Sequence, residues 1–62
     1  MTDAEVLGSA KSLLEKHGPR AAMEAAMMAD KLLARKDKAA HETWKRITLA
    51  VRDLESAKSE GN

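Results

Sequence analysis

Residues 38–58, KAAHETWKRITLAVRDLESAK, constrain the fold more than any other stretch of this chain. Ala40, Trp44, Ile47, Val51 and Leu54 recur at steps of four, three, four and three. That spacing lays one apolar stripe along one side of an α-helix. Trp44 is the only aromatic residue, so the spacing predicts a core with its largest contact there and with Ile47, Val51 and Leu54 beside it. The other apolar segments read as cover for this stripe.

The cover is thin. The chain has 62 residues, enough for one domain near the lower limit for folding without staples. Twelve of its hydrophobic residues are alanine, and beyond Met1 only fourteen larger ones remain. Cysteine is absent, so neither disulfides nor thiolate metal sites are available. Association with a second copy is the expected remedy for so small a core. No apolar run approaches the ~20 residues that span a bilayer. The N-terminus is acidic where a secretory signal is basic, and the expected setting is soluble and cytoplasmic.

Thr2-Asp3-Ala4-Glu5 has the form of a capping box. Asp3 and Glu5 also stand where a helix dipole favours negative charge. From there Val6, Leu7, Ala10, Leu13, Leu14 and His17 trace one face of a helix over about 3–16. His17-Gly18-Pro19 ends it, with glycine suited to a left-handed C-terminus and proline to the first turn of the next helix.

That second helix is expected over about 19–35. Ala22, Ala26, Ala29 and Leu33 form its stripe, with Met23, Met27 and Leu32 on the flanks. Alanines four apart let a neighbouring backbone come close. The Met cluster suits either an ordinary core or an adaptable groove for a partner, and core is the simpler reading. Arg35-Lys36-Asp37-Lys38 marks the next break, where the stripe lapses and Asp37 can cap a third helix over about 38–58. One long helix through this break is the rival. The polar tail, 59–62, is expected to fray. The predicted fold class is therefore all-α: a small three-helix domain whose helices two and three form an antiparallel hairpin, completed by oligomerisation.

Chemistry is sparse. His17 and His41 are the only histidines, and neither belongs to an HxxxH or HExxH pattern. His41-Glu42 is expected near solvent, and His17 suits a helix C-terminus. The serines have no partnering base, and no glycine-rich phosphate loop is present. No catalytic, cofactor-binding or metal-ligating residue is assigned, and the chain reads as a non-enzyme.

Surfaces are more suggestive. Residues 20–52 carry eight basic and four acidic side chains, whereas the flanking segments are net acidic. Lys31, Arg35, Lys36 and Lys38, with Lys45 and Arg46 farther on, make a candidate basic patch for phosphate or an acidic protein surface. A solvated turn is the simpler account. Met23, Met27, Met28 and Leu49 make a candidate surface for self-association or for a protein partner, Leu49 because it lies across the helix from Ile47 and Val51. A DNA-binding helix-turn-helix fits poorly. The turn lacks glycine, the first helix is long, and the second gives its stripe to Trp44, Ile47 and Val51.

Gly18-Pro19-Arg20-Ala21-Ala22, Ala29-Asp30, Asp37 and Trp44-Lys45-Arg46-Ile47, followed by Ala50-Val51 and Leu54, resemble short helical proteins of unknown function common in alphaproteobacteria. Those proteins show a Gly-Pro-Arg-Ala start, a Gly-Asp turn and a Trp-x-x-Ile helix. The resemblance covers roughly residues 17–55 and departs at the turn, where Lys36 stands in place of glycine. The hairpin is also loosely similar to one tetratricopeptide unit, without its Trp-Leu-Gly-Tyr pattern or any repetition. Neither resemblance implies an activity. The expected function is a small helical interaction or regulatory module, with nucleic-acid binding through the basic corner as the alternative.

Overall fold

The computed structural model describes residues 2–60, with side chains for residues 2–57. It is all-helical, with no strand among the described residues. Helix α1 spans Asp3–His17, a 3-10 turn spans Gly18–Arg20, α2 spans Ala21–Ala34, and α3 spans Lys38–Glu60. The expectation of three separate helices is corrected here. Helical structure runs without a gap from residue 3 to residue 34 and again from 38 to 60, giving two unbroken segments. The cause lies at Gly18. Its backbone leaves the helical region at φ 57°, ψ −129°, yet its carbonyl at once accepts from the Ala21 N–H. The first segment is bent there into α1 and α2 rather than broken. The expected tail falls partly outside the described residues, and α3 continues to Glu60.

Local chemistry accounts for the ends. The Thr2 hydroxyl accepts from the Glu5 N–H at 3.2 Å, and the Thr2 N–H donates to the Glu5 carboxylate at 3.1 Å. That backbone hydrogen bond, then the one from the Thr2 hydroxyl, holds the Glu5 carboxyl below its usual range. At the far end of α2 the Lys36 N–H donates to Leu33 O at 2.9 Å and the Asp37 N–H to Leu32 O at 3.0 Å. This pair is a Schellman motif, and it requires a left-handed residue just past the cap. Lys36 supplies it, with φ 64°. The carboxylate of Asp37 then caps α3 by accepting from the Ala40 N–H at 3.2 Å.

The molecule measures 41 × 22 × 17 Å. Helix α3, at ~1.5 Å per residue, sets the long axis. A thickness below two helix diameters of ~10 Å leaves every helix a solvent-facing side. The core cluster joins Val6 and Ala10 of α1, Ala21 and Ala25 of α2, and Ile47 and Val51 of α3. Leu13, Leu14, Ala22, Trp44, Ala50 and Leu54 pack around it, partly buried.

Several sequence expectations are corrected. Trp44 is half-buried, and the largest fully buried side chains are Ile47 and Val51. The α2–α3 contact is lined with alanine, too shallow for an indole, so Trp44 sits at the α1 side beside Gly8, Ser9, Ser12 and Leu13. The buried row of α2 is Ala21, Ala25 and Ala29, so the helix is rotated by about one residue from the Ala22-Ala26-Ala29-Leu33 stripe. Leu33 and Leu7 are exposed. His41 is half-buried at the edge of the α2–α3 contact rather than free in solvent; its Nδ1–H donates to the Ala29 carbonyl at 2.7 Å and ties α3 to α2, while Glu42 is exposed. A carbonyl only accepts, so the bond places the proton on Nδ1.

Candidate interaction surface

Among the described residues, six large apolar side chains stand exposed: Leu7, Met23, Met27, Met28, Leu33 and Leu49. The most open is Leu49, at 59%. Its place follows from helix geometry. Two residues beyond Ile47 means about 200° around α3, so a helix that buries Ile47 must turn Leu49 outward.

Leu49 is not isolated. On one side it walls a groove between α2 and α3, floored by Ala26, Ala29 and Thr48 and edged by Asp30, His41 and Lys45. On the other it walls a groove between α1 and α3, shared with Asp3, Val6, Leu7, Arg46, Ala50 and Asp53. It is thus a ridge between two shallow apolar channels. The small side chains that thin the core also keep the first channel open. Thr48, buried on its floor, donates its hydroxyl proton to the Trp44 carbonyl at 2.8 Å and so has no donor left for a guest.

The methionines lie elsewhere. Met23 and Met27, one turn apart, occupy the side of α2 away from the buried Ala21, Ala25 and Ala29. Met28 is on a different flank, and none of the three lines either channel beside Leu49. The four residues grouped from sequence therefore form two surfaces, the Met face of α2 and the Leu49 ridge.

The basic patch divides in the same way. Lys31, Arg35, Lys36 and Lys38 surround the α2–α3 turn, all exposed. Among the described residues, none of them has a carboxylate within 4.0 Å. Lys45 is 3.7 Å from Glu42, and Arg46 pairs with Asp3. These two belong to the Leu49 ridge, where acid and base are interspersed. His17 is half-buried at the end of α1. Among the described residues, no three His, Asp or Glu side chains gather as a metal ion would need. No described helix is long and apolar enough to cross a membrane.

The α2–α3 channel had a signal in the sequence. Ala26 and Ala29 on one helix, with Leu49 off the stripe of the other, describe a hole beside a knob. What the pattern lacked was the rotation of α2 that brings them together. The chain matches no known protein-family model, no curated protein and no solved structure.

Proposed function

We propose that this chain is a small, non-enzymatic helical interaction or regulatory module that acts by binding another protein, and that it works as a homodimer. One observation carries the reading: among the described residues, twice as many large apolar side chains stand exposed as are buried. Among the fully described side chains, the buried apolar set is Val6, Ile47, Val51 and four alanines, while six leucines and methionines are exposed. Scattered surface leucines are ordinary, but here six large apolar side chains stand outside a core whose other large members, Leu13, Leu14, Trp44 and Leu54, are only partly buried. In this reading α2 and α3 act as an antiparallel hairpin, α1 folds back on it, and a partner covers what remains. The Met face and the Leu49 ridge are the surfaces available for that. A bacterial, cytoplasmic setting belongs to the same reading, in keeping with the resemblance to short alphaproteobacterial proteins.

Thermal unfolding followed by circular dichroism tests it. The midpoint of an associating protein rises with protein concentration, because the partner binds only the folded state. A midpoint independent of concentration removes the homodimer and leaves the exposed faces to a different protein.

A second reading rests on the turn. Four exposed cations with no carboxylate within 4.0 Å among the described residues favour an anionic partner such as nucleic acid. A gel shift that weakens steeply with salt supports it, and no shift at low salt rejects it.

A further inference from the structure

We propose that the Leu49 ridge is the face on which the chain pairs with a second copy of itself, through an antiparallel, two-fold contact between α3 helices; this rests on the homodimer reading above. A two-fold interface must be complementary to itself, and that requirement separates the exposed faces. The α2–α3 turn brings Lys31, Arg35, Lys36 and Lys38 together and would meet a copy of itself with like charge. The ridge is different, because its charges are mixed and ordered along the helix.

Lys45 lies one turn before Leu49 and Asp53 one turn after it. Reversing the direction of α3 exchanges them, so an antiparallel copy centred on Leu49 presents Asp53 toward Lys45, twice over. Arg46 and Arg52 exchange likewise, but they stand farther round the helix from Leu49, and Arg46 is already matched by Asp3. Shape points the same way. Each Leu49 is a knob beside an alanine-floored channel, so two copies back to back can each lay a leucine over the other's Ala26 and Ala29. The ridge is also reachable without rearranging the fold, since Leu49 is exposed as it stands. Met23 and Met27 remain outside this contact.

The test uses the full chain. Its sequence contains no cysteine, so a single Leu49→Cys reports on the two-fold directly. Under mild oxidation, Leu49→Cys is expected to form a disulfide-linked dimer about tenfold or more faster than Met27→Cys. Leu49→Lys is expected to weaken dimerisation about tenfold or more in sedimentation equilibrium while far-UV circular dichroism is unchanged, because Leu49 packs no core. A wild-type dimer that survives Leu49→Lys, or that cross-links as fast through Met27→Cys, overturns the Leu49 contact and leaves the homodimer standing. A wild-type protein that is monomeric at all concentrations overturns both.

Discussion

Lys36→Gly is expected to leave the protein more stable than Lys36→Ala does, although glycine removes more of the side chain. Lys36 holds φ 64° between a helix that ends on its N–H and a helix capped by the next residue. The left-handed backbone costs a residue with a Cβ ~1–2 kcal/mol, and glycine escapes that cost. Against it, glycine makes the unfolded chain more flexible, which costs ~0.4–1 kcal/mol. The lost cation near the C-terminus of α2 costs ~0.3–1 kcal/mol more at low salt, partly offset by less repulsion from Arg35 and Lys38. Lys36→Ala isolates the backbone, because alanine removes the charge but keeps the Cβ. Glycine should therefore exceed alanine by ~0.5–1 kcal/mol, a rise in thermal midpoint of roughly 2–8 °C for a domain this small. Thermal melts of the two variants at one protein concentration decide it. A glycine variant that melts at or below the alanine variant refutes the left-handed turn and with it the assignment of the Schellman motif.

The same geometry gives two more expected outcomes. Gly18→Ala should destabilise by ~1–3 kcal/mol, since φ 57° with ψ −129° suits glycine alone. A new Cβ there meets no atom within 4 Å, so the loss in a denaturant melt is one of backbone conformation and not of crowding. Trp44→Ala should cost ~2–3 kcal/mol, below the ~3–5 typical of a fully buried aromatic ring, because Trp44 only flanks the cluster. Wild-type tryptophan emission should lie between the buried and fully hydrated limits, and emission at either limit contradicts the half-buried placement.

Much of the local structure was legible in the sequence because it is written in adjacent residues. The capping box at Thr2 and Glu5 and the cap at Asp37 need only their own turn of helix. The Ile47-Val51 seam follows from a period that no strand shares. The rotation of α2 was hidden, because Ala21-Ala25-Ala29 and Ala22-Ala26-Ala29 are both alanine rows and differ in no property that pattern can weigh. Trp44 was overvalued for the same reason: its size marks it as an anchor only where the opposite wall is deep enough, and alanine makes that wall shallow. The left-handed Lys36 gave no sign of itself, since lysine has no preference for that conformation. The bond from His41 to Ala29 depends on a contact between helices that neither segment announces alone. At the candidate surface, the exposure of Leu49 was implied by its offset from the stripe. Its place between two channels was not, because each channel is built by a second helix.

Sedimentation equilibrium on the unmodified chain, from low micromolar to submillimolar concentration, tests the central claim most directly. A fold whose exposed leucines and methionines outnumber its large buried side chains should associate, giving a weight-average mass that rises toward twice the 6.8 kDa of one chain. A single species of 6.8 kDa across the whole range would contradict the account and show that the alanine-lined core is sufficient by itself.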